Sequence, residues 1–515
     1  YSSAASDVYK RQLLNYISIA TRLATQFFLT PFILSSLGQD EYGIFMLSNS
    51  VIVWLSLTDF GLKATVNKYV AMYHARNETS QMAHFLGQSM VLFSCLGIFT
   101  AICGIVCYFY LGDFFPNLTG EEHKTLEILY LLTLGNLILS FPLRPVTGIA
   151  SAYMKFVTPG VVELSISLLN AGLTVLLLCW GFKAIALTIL GVSTGIGTML
   201  WGLYYAFRCL GVRLVFSRLD WPLYREMFQF SFWILLNQIM DLFYWRAGTP
   251  IIARTSGAAA VTVFSLGISF SQYFMTASTA ISGVIYPKIM HMVAQESTKE
   301  QLTDLMIRIG RIQAALLCLI LAVFLCCGHD FLHLWVGKTI GTEISTVWAG
   351  AALVLVVLLI PLTQNTGIAI LQALNIHKGR AVILFYSSVV CVILGYLISL
   401  RYGAIGMFAG TAISLFFGQI FLINRYYSRK AGLSIKRFFA QVYIPLLYSV
   451  PLLLLAGITG SFLIKLDSWT SLIAYSCCYA VAFTAVLWRA YLNESERELF
   501  SAPLKKLIHF LKHAR

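Results

Sequence analysis

Unbroken apolar runs of about twenty residues recur along nearly the whole chain. A helix rises about 1.5 Å per residue, so a run of that length matches the roughly 30 Å hydrocarbon core of a bilayer. Fourteen such segments are readable: 13–37, 44–65, 85–111, 126–150, 156–180, 185–207, 227–251, 258–286, 302–327, 344–373, 381–400, 404–424, 442–464 and 469–491. They lack the period-two alternation of membrane strands, which selects helices over a β-barrel. The connections between them are short, and none is long enough to form a domain of its own. Composition agrees, because 58% hydrophobic and 11% charged residues leave too little polar surface to cover a soluble body of this size. The chain therefore reads as an all-α polytopic membrane protein. Its eleven cysteines lie mostly inside the apolar runs without metal spacing. They are read as space-filling side chains, and no disulfide is expected.

The net charge of +14 raises the question of nucleic acid, and its distribution answers it. With the N-terminus placed inside, 25 of the 36 Lys and Arg residues fall at cytoplasmic ends and 5 in outer loops. Such a bias sets topology, so both termini are expected in the cytoplasm and no nucleic-acid partner is implied. Residues 2–12 resemble a translated adapter sequence, and 1–12 are set aside as a sequencing or assembly scar or a disordered N-terminus.

A repeat organises the rest. Thr30-Pro31 recurs as Thr249-Pro250, and at the same offset of 219 Gly38 meets Gly257, Phe45 meets Phe264 and Leu47 meets Leu266. Pro142-Leu143 matches Pro361-Leu362, and Thr147-Gly148-Ile149-Ala150 matches Thr366-Gly367-Ile368-Ala369, again 219 apart. The reading is two tandem lobes of six helices, 13–219 and 220–427, then two further helices in 428–491 and a basic amphipathic tail, 492–515, resting on the inner surface. Six helices is an even number, so both copies enter the membrane in the same sense, as parallel repeats.

The first segment carries a polar stripe. Asn15, Ser18, Arg22, Gln26 and Thr30 fall three or four residues apart and share a face. An arginine inside a membrane helix is costly unless it faces a bundle interior or a watery cavity.

In order along the chain, several short motifs resemble one family. They are Glu41-Tyr42-Gly43 after the first helix, Thr58-Asp59-Phe60-Gly61-Leu62 followed by Asn67-Lys68-Tyr69, Pro159 with Glu163, and Tyr402-Gly403-Ala404-Ile405-Gly406-Met407. Together they resemble the polysaccharide, or lipid-linked oligosaccharide, flippases of the multidrug/oligosaccharidyl-lipid/polysaccharide (MOP) exporter superfamily, over nearly the whole chain to about Tyr491. The resemblance implies two lobes around a central cavity and alternating access. The implied cargo is an undecaprenyl-diphosphate-linked glycan carried from the inner to the outer leaflet of the bacterial inner membrane. It implies a monomer that is not an enzyme and works beside polysaccharide polymerase or ligase machinery. No cofactor is expected; the coupling ion is read as H+ or Na+.

Candidate cavity residues are Arg22, Gln26, Arg144, Asn237, Arg246 and Arg254; candidates for coupling or gating are Asp59, Glu163 and Asp241. Arg22 is read either as a cation for diphosphate, which arginine grips with parallel hydrogen bonds, or as a structural partner of Asp241, its repeat mate. Arg144 stands between two prolines, lining the cavity or holding an interface. Arg246 follows Tyr244-Trp245, rings suited to stacking on sugars but more often packed. Arg254 near the outer mouth suits headgroups. Asp59 is expected to pair with Lys63 four residues on. Glu163 is expected to be buried and proton- or cation-binding. Asn237, Gln272, Gln364 and Asn365 are neutral candidates for sugar, although such amides mostly bond between helices.

Two other functions compete. A MOP-superfamily multidrug or lipid-precursor exporter would favour acidic cavity residues. A membrane glycan polymerase or glycosyltransferase would need outer loops with catalytic groups, and the outer loops here are short.

Overall fold

The computed structural model describes residues 2–147, 149, 153, 157–216, 218–282, 286–494 and 496–497, with side chains from residue 17 onward except at 147, 281 and 287. Among them every regular element is helical. The basic tail beyond residue 497, and Gly148, Ala150 and Lys155, lie outside the described residues. In chain order the principal helices are α1 (Ser2–Leu37), α2 (Gln39–Leu55), α3 (Leu62–Ala75), α4 (Thr79–Phe109), α5 (Gly120–Ser140), α6 (Val157–Cys179), α7 (Ala184–Tyr204), α8 (Trp221–Trp245) and α9 (Gly248–Ser256). There follow α10 (Ala258–Ser282), α11 (Tyr286–Ala294), α12 (Lys299–Ile340), α13 (Ile344–Thr363), α14 (Asn365–Ala373), α15 (His377–Leu415), α16 (Ile435–Val442), α17 (Ile444–Leu463) and α18 (Trp469–Ala490).

Nine helical stretches among the described residues are long and apolar enough to cross a membrane, or ten when the bent pair Gln39–Asp59 with Leu62–Ala75 counts as one span. Two of the nine, Lys299–Thr363 with 65 residues and His377–Ala431 with 55, exceed twice the roughly 20 residues a span requires. Each holds two of the sequence segments and breaks at a glycine of positive φ, Gly341 (+59°) and Gly403 (+54°). The second segment, read as one run over 44–65, also breaks. A 3-10 turn at Ser56–Asp59 ends in Phe60 (φ +50°) and Gly61 (φ +73°), and the chain bends by 50°.

The chain divides into two compact units between Ser265 and Leu266, within α10. In the first unit α5 packs on α2, α4 and α7, α1 packs on α6, and α8 packs on α3. Tyr130 of α5 is fully buried, and its hydroxyl donates to the Gly104 carbonyl at 2.7 Å, so the ring is placed without an unsatisfied polar group. In the second unit α12 is central, packing on α13, α16, α17 and α18. Phe408 of α15 is buried against α13 where Gly350 leaves room; a Cβ there would lie 2.1 Å from the ring.

Local geometry recurs at the sequence offset. Gly38 (φ +81°, ψ 172°) and Gly257 (φ +84°, ψ −175°) hold the same backbone before α2 and α10. Their N–H groups close the preceding helices on Leu34 O (2.9 Å) and Ala253 O (3.2 Å), also 219 apart. The turns ending α3 and α11 repeat likewise. Asn77 (φ +58°) matches Glu296 (φ +55°), and Glu78 N–H to Tyr73 O matches Ser297 N–H to Met292 O, each at 3.0 Å.

Candidate functional site

The sequence candidates separate into saturated and unsaturated side chains, and that division says which of them have bonds to spare. Arg22 stands on α1 and Glu163 on α6, two helices packed side by side. Arg22 Nη2 donates to Glu163 Oε1 at 3.2 Å, and the two side chains are 70% and 69% exposed. Among the described residues this is the one bond Arg22 makes, and a guanidinium has five N–H donors. Gln26, one turn further along α1, is exposed on the same face. Both charged residues sit within two turns of the start of their spans, a depth at which a charge meets the interface or a water-filled recess. The sequence reading left Arg22 either as a cation for diphosphate or as a partner of Asp241, and expected Glu163 to be buried; the structure joins Arg22 to Glu163 and leaves both exposed. Asp241 is exposed on α8.

Asp59 and Arg144 form the opposite kind of pair. Arg144 Nη1 donates to Asp59 Oδ2 at 2.8 Å, with the side chains 16% and 8% exposed. The other carboxylate oxygen, Oδ1, accepts from the Gly61 N–H at 2.8 Å. The guanidinium also lies 4.2 Å from the centre of the Phe141 ring. Asp59 thus holds the break between α2 and α3 and anchors it to the turn after α5. The expected pair with Lys63 does not form because the helix stops at Phe60-Gly61, which removes the four-residue register. Arg144 is a half-buried interface residue, paired to Asp59 rather than free in a cavity.

The remaining candidates make contacts of several kinds. Asn237 Nδ2 donates to Trp233 O at 2.7 Å within α8. Arg246 caps α8 with its N–H on Leu242 O, and its carbonyl accepts from Ser50 of α2 at 3.0 Å; its side chain is exposed. Tyr244 beside it is 2% exposed, so that ring is packing. Arg254 Nη1 donates to Asp113 O and Phe114 O, and its own carbonyl accepts from Asn117 Nδ2 at 2.6 Å. Arg254 therefore ties the end of α9 to the loop before α5. Gln364 bonds Asn424 and Asn365 bonds Ser278, each at 2.9 Å, so both amides join helices.

Near these residues α2 and α10 meet at their first turns. Gly43 is buried there, and a Cβ on it would lie 2.0 Å from the Ala258 carbonyl oxygen. Thr262 Oγ1 donates to Gln39 O at 2.5 Å and Gln39 Nε2 to Ala259 O at 3.3 Å. The adjacent Glu41 accepts from the Ala184 N–H at 3.0 Å and pairs with Lys183 at 3.4 Å, capping α7. Within the motif Glu41-Tyr42-Gly43, Glu41 caps α7, Gly43 permits the close approach to α10, and Tyr42 is buried.

Sequence reasoning missed Arg311 of α12, counted only among cytoplasmic charges. It is 6% exposed and donates from Nε to Glu496 at 2.7 Å, from Nη1 to Gln441 O at 2.7 Å, and from Nη2 to Tyr491 O. A buried arginine with every side of its fork engaged is structural; here it anchors the residues after α18. Its position inside the apolar run 302–327 was the available signal. Among the described residues no group of three or more His, Cys, Asp or Glu side chains is arranged to hold a metal ion.

The family model for "Polysaccharide biosynthesis protein" matches residues 16–293. The chain is 24% identical over 494 residues to "Uncharacterized membrane protein EpsK" of Bacillus subtilis (strain 168), covering 93% of this chain and 94% of that one. Its fold is similar to that of the lipid II flippase MurJ in an inward closed conformation, with a TM-score of 0.72 and 14% identity, over 93% of this chain and 98% of that one. It is also similar to an inward-facing MATE family multidrug resistance transporter of the MOP superfamily, with a TM-score of 0.60 and 13% identity, over 82% and 95%. At those identities the two likenesses establish the fold. A family model matched over more than half of the sequence settles the assignment: the chain belongs to the polysaccharide biosynthesis protein family.

Proposed function

We propose that the protein flips an undecaprenyl-diphosphate-linked oligosaccharide from the cytoplasmic to the outer leaflet of the bacterial inner membrane, for cell-surface polysaccharide synthesis. The observation that carries this reading is Arg22, an exposed guanidinium in a membrane helix with one bond made among the described residues and four N–H donors left over. Phosphate oxygens are strong, paired acceptors for such a fork. Gln26 beside it offers a neutral amide to the glycan. Glu163 is the group that a diphosphate displaces from Arg22, so cargo entry frees a carboxylate to take up H+ or Na+. In this way the ion pair joins cargo binding to coupling.

Alternating access in this reading involves two tandem lobes. The seal between the first turns of α2 and α10, at Gly43 and Ala258, is one face that has to part. Both termini are cytoplasmic by the distribution of positive charge, the protein acts as a monomer, and polymerase or ligase enzymes take the product.

A second reading is a lipid-precursor or multidrug exporter of the same superfamily. It is favoured by exposed carboxylates on Glu163 and Asp241, which suit a cationic cargo. Purified protein in liposomes, with a fluorescent undecaprenyl-diphosphate oligosaccharide in the bilayer, separates the two. Protein-dependent access of an outside enzyme to the glycan supports the flippase. No movement under proton or sodium gradients, together with efflux of cationic dyes, selects the exporter.

A further inference from the structure

The second unit carries a cavity that the transport reading leaves unused. It lies where the end of the twelfth apolar segment meets α16 and the start of α17. Its volume is about 550 Å³, and its lining includes Arg425, Ser428, Lys436, Phe421, Phe439 and Ile444. Two π-helical turns, Phe416–Leu422 and Tyr427–Ala431, flank the short helix Ile423–Tyr426. An inserted π turn rotates the side chains that follow it, and such turns gather at functional sites. Here they set Phe421, Arg425 and Ser428 around one recess.

The charges are one-sided. Residues 421–444 contain Arg425, Arg429, Lys430, Lys436 and Arg437 and no Asp or Glu. Arg437 is already engaged with Asp304 of α12 at 2.8 Å. Arg425 and Lys436 are exposed and form no ion pair among the described residues. The opposite wall is apolar and open: Phe421 is 61% and Ile444 48% exposed. Helix α16 divides the same way, with Phe438 and Val442 buried and Lys436 and Arg437 exposed. Its apolar face packs on α12 and its cations point outward, the pattern of a helix on the protein surface.

We propose that this cavity binds an anionic glycerophospholipid, with its phosphate between Arg425 and Lys436 and its acyl chains along Phe421, Phe439 and Ile444. Cations next to an apolar wall between membrane helices match both ends of such a lipid at once. Free phosphate would use the cations and leave the wall uncovered. The volume falls in the range of small-molecule sites, enough for a headgroup and the first part of its chains. The site is separate from Arg22, and its occupancy is read on the protein itself, so the outcome does not depend on whether the protein moves a glycan.

Native mass spectrometry of the full chain in neutral detergent tests this, with phosphatidylglycerol and phosphatidylcholine of the same chains as probes. Phosphatidylglycerol should bind about tenfold more tightly than phosphatidylcholine, and the pair Arg425→Ala and Lys436→Ala should remove most of that preference. Arg429→Ala with Lys430→Ala removes the same charge outside the cavity and should leave the preference within about twofold. Arg425→Lys with Lys436→Arg should retain it, which separates charge from folding. Equal losses in the two double alanine variants would reduce the effect to diffuse charge and overturn the site. Equal binding of phosphatidylcholine, or displacement of the lipid by inorganic phosphate, would overturn it as well.

Discussion

Gly38 and Gly257 stand 219 residues apart and hold one backbone conformation, φ +81° with ψ 172° and φ +84° with ψ −175°. That region is essentially closed to residues with a Cβ. At Gly38 a Cβ would meet nothing within 4 Å, so the requirement there is conformational and owes nothing to space. Gly38→Ala should therefore destabilise the protein by about 1–3 kcal/mol, read as a lower unfolding midpoint in detergent. An unchanged midpoint would mean that α2 can start without this turn.

Gly43 makes a different demand. Its hydrogen faces the Ala258 carbonyl, where a methyl group would sit at 2.0 Å. Gly43→Ala should push the first turns of α2 and α10 apart and loosen the bonds from Gln39 to Ala259 and from Thr262 to Gln39. With the eleven native cysteines replaced, a single cysteine placed at Gln39 should then react faster with a water-soluble maleimide in the Gly43→Ala background than without it. Equal labelling rates would show that the contact yields elsewhere.

The buried pair Asp59 and Arg144 should respond unequally to single and double changes. Arg144→Met alone strands a carboxylate that is 8% exposed, and breaking such a pair costs about 3–5 kcal/mol. Asp59→Asn added to it keeps an acceptor for the Gly61 N–H and should restore much of the loss. A double variant as unstable as the single one would place the main effect in the Phe141 contact instead.

For Arg22 and Glu163 the expectation is reversed. Exposed ion pairs contribute only about 0–1 kcal/mol, so Arg22→Ala should reach the membrane with an almost unchanged unfolding midpoint. It should nevertheless abolish glycan translocation in liposomes. Glu163→Gln should keep cargo binding and remove any dependence on a proton or sodium gradient. Normal translocation by Arg22→Ala would sink the phosphate role, and an unchanged gradient dependence would remove Glu163 from coupling.

Much of this was legible along the chain, for a physical reason. Membrane helices satisfy their backbone internally, so apolar length alone announces them. Glycines at turns with positive φ leave a mark that recurs with the turn, as at Gly38 and Gly257. Charge at the ends of segments needs no partner to be counted. What the residues could not reveal was which charge meets which. Asp59 and Lys63 have helical spacing, yet Phe60-Gly61 breaks the helix and hands the carboxylate to Arg144, 85 positions away. Arg22 and Glu163 lie 141 positions apart and meet only because α1 packs on α6. Arg311 looked like one more cytoplasmic cation until Glu496 and Tyr491 closed around it. Local propensity and hydropathy act over a few turns, so the sequence by itself determined the apolar helices and the paired turns at Gly38 and Gly257, but not the break at Phe60-Gly61. Ion pairing depends on which helices lie side by side, and that was decided only by tertiary packing.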